Sequence, residues 1–259
     1  MVVELSVEDG IARLTLNRPE VLNAFDLTSA RQYAAHIKAL GERRDVRVVI
    51  TMGAGRAFCA GSDLKEIAPM SPAEAAAAEQ EQAGAFALLD TLPQPTIAML
   101  HGYVLGGGLG LALYHDFRIA STSAVLGMPE VELGWTPPWG IGRLVDTVGG
   151  ANARWLAMTC VRVAGEEAKT LGLVSEVVPD EQLAEQVEAL AQRLAVLPPA
   201  ALRYTKVLIN RISPLRSAQG DAAASEAFEI CYATDEARAN VAAFLARRNR
   251  RNRSGDRAP

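Results

Sequence analysis

The stretches GAGRAFCAGSDLK at residues 53–65 and HGYVLGGGLG at residues 101–110 contain the most prominent glycine clusters of the chain. They lack the standard glycine motifs: no strand-linked G-x-G-x-x-G, no Lys-Ser/Thr closing a P-loop, and no G-x-S-x-G of a serine hydrolase. Three consecutive glycines before the apolar residues 109–113 suit a helix start that another group approaches closely. The unpaired N–H groups there favour developing negative charge. From the residues alone, oxyanion binding and tight helix–strand packing both stay open.

The segments around these stretches predict strands early in the chain and helices later. Alternating residues predict strands at 2–7 and 11–16, joined by the turn-forming Asp9-Gly10 pair. Short apolar runs predict further, buried strands at 46–52, 96–100 and 117–120. This order favours a mixed α/β core with a C-terminal helical extension.

Capping residues indicate where the helices begin and end. Asp26 or Thr28 can cap a first helix, and Gly41 suits its C-terminus. The segment Ser71-Pro72-Ala73-Glu74 has the serine and glutamate of a capping box, with proline in the first turn. Beyond residue 138 the pattern predicts helices at 139–148, 151–160, 180–196, 199–212, 221–232 and 234–248.

Composition limits the classes of function. The chain has 259 residues, 49% of them hydrophobic, and a formal net charge of −4, so a sizeable core is expected and nucleic-acid binding is not. Three widely spaced cysteines fit a reducing cytoplasm better than a disulfide framework. The N-terminus lacks a signal-peptide pattern, and no apolar run approaches the roughly 20 residues that cross a bilayer. We therefore expect a cytoplasmic protein that does not insert into a membrane. With no HExxH and no paired Cys-x-x-Cys, we expect no metal site.

Several segments, in this order along the chain, resemble motifs of the crotonase, or enoyl-CoA hydratase/isomerase, superfamily. They are LNRP with LNA (16–24), FCAGSDLK (58–65), HGYVLGGG (101–108), DFRIA (116–120), AKTLGLVSEVV (168–178) and AFLARR (243–248). Each segment is short, but together they extend over nearly the whole chain. The resemblance implies a spiral of ββα turns followed by a C-terminal helical region that forms trimers or hexamers.

The resemblance also suggests how the chain is divided. We predict a spiral core that carries the CoA and acyl site over residues 1–197, and a C-terminal helical region over residues 198–259. The Pro198-Pro199 pair is the predicted joint between them. The basic and polar tail at 249–259 is predicted to fray.

The superfamily binds acyl-coenzyme A thioesters, and the resemblance implies which residues do so here. Two backbone N–H groups hold the thioester oxygen in the family, and by position they fall on Ser62 and Gly107. No cofactor is expected other than coenzyme A itself, as part of the substrate. Trp135 and Trp139 suit ordinary packing as well as a wall of the acyl pocket. The predicted substrate-binding residues are Val21, Leu22, Ala60, Ser62, Asp63, Leu64, Lys65, Gly107, Trp135, Pro138 and Trp139.

The chain departs from the superfamily pattern where hydratases hold their catalytic water. Hydratases use two glutamates; the position of the first is Gly110 here, and the second matches Glu130. Pro138 stands where relatives often have a glycine whose N–H helps to hold water, and proline has no such donor. Both departures remove groups that position water and leave one carboxylate. Glu130 itself could also be an ordinary glutamate of a surface loop.

A single carboxylate suits double-bond isomerisation, in which a proton leaves C2 and returns at C4. We therefore predict an enoyl-CoA isomerase with Glu130 as the proton shuttle. A hydratase or dehydratase with an unrecognised second group is the next hypothesis. An acyl-CoA decarboxylase or hydrolase, or a non-catalytic CoA-thioester-binding protein, is also consistent with the sequence. The candidates for a second group are Glu132, Asp63, Tyr103 and His115.

Overall fold

The computed structural model describes residues 1–212 and 218–254, which form two β-sheets surrounded by helices. The strands of this part are Val3–Glu8 (β1), Ile11–Leu16 (β2), Val48–Gly53 (β3), Ala57–Cys59 (β4), Thr96–Leu100 (β5), Tyr103–Leu105 (β6), Phe117–Ser121 (β7), Val125–Gly127 (β8), Val163–Ala164 (β9) and Glu176–Val178 (β10). Its α-helices are Leu27–Gly41 (α1), Leu64–Ile67 (α2), Pro72–Thr91 (α3), Gly107–Leu113 (α4), Ile141–Thr159 (α5), Gly165–Thr170 (α6), Leu183–Ala195 (α7), Pro199–Ile212 (α8), Ala218–Tyr232 (α9) and Asp235–Ser254 (α10).

The larger sheet has the strand order β1-β2-β3-β5-β7-β10 and contains every strand that the sequence predicts. Its first two strands form an antiparallel hairpin, and the later neighbours pair in parallel. Asp9 and Gly10 turn the hairpin with positive φ angles of 50° and 76°, which confirms the predicted turn. The parallel strands are buried on both faces, so they appear in the sequence as short continuous apolar runs.

The predicted N-terminal helix caps are present, whereas the C-cap of α1 is Glu42 and Gly41 is the last helical residue. Asp26 caps α1 by accepting a hydrogen bond from the Ser29 amide, and Ser71 with Glu74 forms the capping box of α3. The two helices predicted at 139–148 and 151–160 are both present within α5, and they are separated at Gly149, whose angles of φ 76° and ψ 158° are not helical. A positive φ favours glycine, and this explains why the break falls there.

The smaller sheet, with the order β4-β6-β8-β9, was not predicted. Its strands are two or three residues long, which is too short for any periodicity to show. In this sheet β6 pairs in parallel with both β4 and β8. The chain therefore leaves β4, β6 and β8 at one edge of the sheet, and the residues that follow these strands lie close together.

The C-terminal helices pack against the rest of the chain. Helix α7 covers one face of the larger sheet, and Lys206 in α8 donates to Asp116 next to β7 at 2.8 Å. The Tyr232 hydroxyl in α9 donates to the Ile67 carbonyl of α2 at 2.6 Å. Helix α10 extends to Ser254, and residues 255–259 of the predicted frayed tail lie outside the described residues. Over the described range, the chain contains no helix with the length and apolar character to cross a bilayer.

Candidate active site

The two glycine-rich segments meet backbone to backbone at the edge of the smaller sheet. A Cβ at Gly61, where φ is +97°, would lie 3.0 Å from the Leu105 carbonyl oxygen and 3.2 Å from the Gly107 nitrogen. Glycine at this position therefore permits the close approach as well as the backbone angle. As a result Ser62 and Gly107 are neighbours: a Cβ at Gly107 would lie 3.5 Å from the Ser62 hydroxyl oxygen.

Both of these residues present a backbone amide at this junction. Ser62 forms an isolated parallel bridge with Phe25, in which Phe25 donates to the Gly61 carbonyl at 2.8 Å and Asp63 donates to the Phe25 carbonyl at 2.7 Å. In a parallel bridge the middle residue's own N–H points away from the partner strand. Gly107 is the first residue of α4, where an N–H has no acceptor inside the helix. Two adjacent amide donors of this kind can hold a developing oxyanion.

Glu130 lies beside the same junction. It begins the 3-10 turn Glu130–Leu133 that follows β8, and only 7% of the residue is exposed. Its Oε1 would be 3.0 Å from a Cβ at Gly106, and its Oε2 is buried without a hydrogen-bond partner. Burial, with a further contribution from the charge of Glu79, raises the pKa of Glu130 to about 8. The surface-loop alternative is therefore wrong, since this carboxylate is buried at the site.

Trp139 occupies the space next to Gly110. A Cβ at Gly110 would lie 2.4 Å from Cζ3 of the indole ring, closer than carbon atoms can approach. The same ring reaches Gly107, where a Cβ would lie 3.1 Å from Cζ2. Phe86 packs edge-on against the indole with ring centroids 5.2 Å apart. While Trp139 holds this position, residue 110 has no room for a glutamate.

A second buried carboxylate comes from α3 and was missed in the sequence. Glu79 is 2% exposed and accepts a hydrogen bond from Trp139 Nε1 at 2.9 Å. Burial raises the pKa of Glu79, while the nearby Ser62 hydroxyl and the hydrogen bond from Trp139 oppose that shift. Nearly one helical turn further on, Gln82 accepts from the Ser62 hydroxyl at 3.5 Å, and its buried Nε2 has no partner. Helix α3 thus adds polar groups on the Ser62 side of the amide pair.

The sequence contained one weak signal for these residues. The segment AEAAAAEQEQAG at 73–84 suggests a helix whose glutamates and glutamines face solvent. Glu79 lies seven residues before Phe86, however, so the two share one face of α3. Because Phe86 is fully buried, a glutamate on its face is also buried. Since several faces of α3 are lined with alanine, this pattern could not be recognised without the structure.

Comparison with known proteins gives the family. The sequence profile described as enoyl-CoA hydratase/isomerase matches residues 6–253. The chain belongs to this family. It is 34% identical over 248 residues to the short-chain-enoyl-CoA hydratase of Clostridium acetobutylicum, covering 95% of each chain. It is 39% identical over 231 residues to the mitochondrial enoyl-CoA hydratase domain-containing protein 2 of Bos taurus, covering 86% of this chain and 76% of that protein.

A solved structure confirms the predicted fold class. The enoyl-CoA hydratase/isomerase from Xanthobacter autotrophicus Py2 superposes with a TM-score of 0.88 at 27% identity, covering 97% of this chain and 98% of that one. The chain therefore has the crotonase fold and is an enzyme of the enoyl-CoA hydratase/isomerase family. The roles of individual site residues, and the forms in which it assembles, stay predictions.

The residues predicted to line the CoA path lie together at this edge. Val21 ends a 3-10 turn, and Leu22 follows it and accepts a hydrogen bond from the Ala60 amide at 3.0 Å. Asp63 caps α2 by accepting from the Lys65 amide at 3.1 Å, and Leu64 is the first residue of that helix. These contacts bring both predicted segments next to Ser62. Their binding of CoA in this family member stays a prediction.

Three of the four candidates for a second acid–base group have other partners. Glu132 forms an exposed ion pair with Arg162 at 2.8 Å, and Asp63 pairs with Arg18 at 2.9 Å. Tyr103 is half-buried in β6. His115 contacts the Leu111 carbonyl and the Thr51 hydroxyl, and burial lowers its pKa to about 4. Glu79, which was not among the candidates, is the carboxylate whose charge contributes to the raised pKa of Glu130.

The two predicted tryptophans lie in different surroundings. Trp135 packs against Phe228 and Tyr232 of α9, with ring centroids 5.7 and 5.2 Å away. It belongs to the apolar cluster that joins α2, α9 and α10. Trp139, directly after Pro138, is the tryptophan that contacts the oxyanion segment. Of the two, Trp139 is therefore the one next to Gly107 and Gly110, and a role for it in limiting the acyl group stays a prediction.

Proposed function

We propose that this enzyme isomerises 3-enoyl-CoA thioesters to 2-enoyl-CoA thioesters, with Glu130 removing the proton from C2. The Ser62 and Gly107 amides hold the thioester oxygen, and coenzyme A enters as part of the substrate. One observation carries the proposal. The carboxylate of Glu130 is buried beside the amide pair, with one oxygen unpaired and directed to no protein donor among the described residues.

The chemistry needs both parts of this arrangement. Removal of a proton from C2 moves negative charge onto the thioester oxygen, and each preorganised amide donor lowers the barrier by roughly 3–4 kcal/mol. A base works best when its pKa is near the working pH, and burial raises the pKa of Glu130 to about 8. The electron pair left at C2 forms the new C2=C3 bond as C4 takes up a proton.

Steric features of the site support isomerisation over hydration. Trp139 excludes a side chain at position 110. Hydratases of the crotonase superfamily have one of their two catalytic glutamates at this position. Pro138 removes a backbone donor that helps to hold water in those enzymes. A site without these groups has fewer means of positioning a water molecule for addition.

Hydration of 2-enoyl-CoA is the second candidate. Several relatives are named hydratases, among them the Clostridium acetobutylicum protein. Glu79 also provides a second carboxylate, and its charge raises the pKa of Glu130. It comes from α3, whereas the other catalytic glutamate of hydratases corresponds to Gly110 in α4. Two carboxylates can hold a water molecule between them, so this reaction has a specific structural basis as well.

Product analysis in deuterated water separates the two reactions. The purified enzyme is given 3-enoyl-CoA and 2-enoyl-CoA thioesters of matched chain length, and the products are identified by mass spectrometry. Isomerisation converts the 3-enoyl substrate without adding water, whereas hydration adds one water to the 2-enoyl substrate. Brisk hydration, with no isomerisation at any chain length tried, would overturn the proposal.

A further inference from the structure

We infer that Glu79 is a second catalytic acid–base residue of this site, which delivers the proton to C4 after Glu130 has taken one from C2. The inference rests on the proposed isomerase function and adds a second group to it. A single glutamate that serves both carbons has to move between them. Two glutamates can each serve one carbon.

The position of Glu79 supports this role. Glu130 lies on the Gly106 side of the amide pair, since its Oε1 would be 3.0 Å from a Cβ at Gly106. Glu79 bonds the indole N–H of Trp139, and the neighbouring ring atom Cζ2 would be 3.1 Å from a Cβ at Gly107. The two carboxylates therefore have different neighbours at the amide pair: Glu130 lies beside Gly106, and Glu79 bonds the indole that lies beside Gly107.

The surroundings of Glu79 are unusual for a structural residue. Buried carboxylates in proteins are commonly paired with a cation. Among the described residues, Glu79 bonds the neutral Trp139 N–H and has the neutral Ser62 hydroxyl nearby, while the charge of Glu66 acts against its ionisation. A carboxylate in such surroundings keeps its proton to higher pH, as a group that must donate a proton requires. Buried acids whose pKa is raised and that have no cation partner concentrate at functional sites.

The proton transfers balance. The Glu130 carboxylate takes the C2 proton and becomes a carboxylic acid, and the C2–H electron pair enters the dienolate. The C3=C4 electron pair then takes a proton from the Glu79 carboxylic acid, which becomes a carboxylate, and the C2=C3 bond is complete. Glu130 returns its proton and Glu79 regains one by exchange with solvent. The net change is a shift of one proton from C2 to C4.

The test separates proton removal from product formation. Glu79→Gln keeps an oxygen that accepts the Trp139 N–H bond but cannot donate an acidic proton. Its matched control is Glu81→Gln, an exposed residue two positions later on α3 that pairs with Arg31. Deuterium exchange at C2 of the 3-enoyl substrate is followed by NMR, and formation of 2-enoyl-CoA is followed separately.

We expect Glu79→Gln to exchange at C2 within about threefold of wild type, while product formation falls by the roughly 10²–10⁴-fold that general acid catalysis contributes. Glu81→Gln should resemble wild type in both assays. If Glu79 only supports Trp139, Glu79→Gln forms product at the wild-type rate, which overturns the inference and leaves Glu130 as sole shuttle. If wild type forms no 2-enoyl-CoA, the proposed function fails, and this inference fails with it. If wild type forms product without exchange at C2, one carboxylate carries the proton between the carbons, and only this inference fails.

A second variant keeps the result interpretable if Glu79→Gln does not fold. Glu79→Asp retains the acid on a shorter side chain, so it should keep C2 exchange and lose less product formation than a variant without the acid. The folded state of both variants is checked by thermal unfolding. If Glu79→Asp folds and loses C2 exchange and product formation to the same extent, Glu79 does not act at C4 alone and the inference is wrong.

Discussion

The close contact between Gly110 and Trp139 yields a prediction about stability. A Cβ at position 110 would lie 2.4, 2.9 and 3.2 Å from three atoms of the indole ring. The ring has little freedom to move, because Phe86 packs against it and Glu79 holds its N–H. We therefore expect Gly110→Ala to destabilise the fold, although alanine is normally a better helix residue than glycine.

The magnitude follows from two opposing terms. Overpacking a buried site costs about 1–3 kcal/mol, and replacing a helical glycine by alanine returns about 0.5–1 kcal/mol. The difference is a net loss of about 0–2.5 kcal/mol. Because the 2.4 Å approach involves a ring with little freedom to move, we expect about 1–2.5 kcal/mol, which lowers the melting temperature by roughly 2–10 °C in a chain of this size. Gly110→Glu should lose more stability, and it should not create hydratase activity while the Trp139 indole stays in place.

Thermal unfolding followed by circular dichroism measures this effect, with Gly84→Ala as the matched control. Gly84 lies inside α3, and a Cβ there would have no atom within 4 Å. The control should therefore gain about 0.5–1 kcal/mol from helix propensity alone. If Gly110→Ala melts at or above the wild-type temperature, the steric account of position 110 is wrong.

Three further predictions concern the site and the assembly. Because burial raises the pKa of Glu130 to about 8, its proton is lost more readily from the unfolded chain, and stability should fall as pH rises from about 4.5 to about 8. In thermal unfolding, Glu130→Gln should therefore have a higher melting temperature than wild type at pH 8 and a similar one near pH 4.5. An equal difference at both pH values would contradict this. Ser62→Ala keeps its amide and should retain turnover within about tenfold, whereas Gly107→Pro should lose at least the roughly 10²-fold of one oxyanion donor; a folded, fully active Gly107→Pro would refute the amide's role. Apolar side chains exposed on α5 and α8 should be covered in a trimer or hexamer, and a stable monomer by light scattering at micromolar concentration would contradict the predicted assembly.

The sequence predicted the parts of the fold that depend on local chemistry. The Asp9-Gly10 turn and the capping groups of Asp26 and Ser71 act through neighbouring residues, so the amino-acid types were sufficient. The smaller sheet depends on contacts between segments far apart in the chain. Its strands of two or three residues carry no pattern of their own.

The same distinction applies to the site. Ser62, Gly107 and Glu130 were predicted because they lie in short motifs that resemble those of a family, and the structure places the three residues close together. Glu79 lies in an alanine-rich helix, and its role depends on a hydrogen bond from Trp139, 60 residues away. The steric link between Gly110 and Trp139 could not be predicted either, because the two residues lie in separate segments and nothing in the sequence shows that they come into contact.

Deuterium exchange at C2 of a 3-enoyl-CoA thioester tests the role of Glu130 most directly. Wild type, Glu130→Gln and the matched control Glu132→Gln are compared by NMR; Glu132 is two residues away and forms an exposed ion pair with Arg162. We predict that Glu130→Gln loses exchange by at least the roughly 10²–10⁴-fold expected of a general base, and that Glu132→Gln exchanges like wild type. Exchange by a folded Glu130→Gln enzyme at near the wild-type rate would contradict the account.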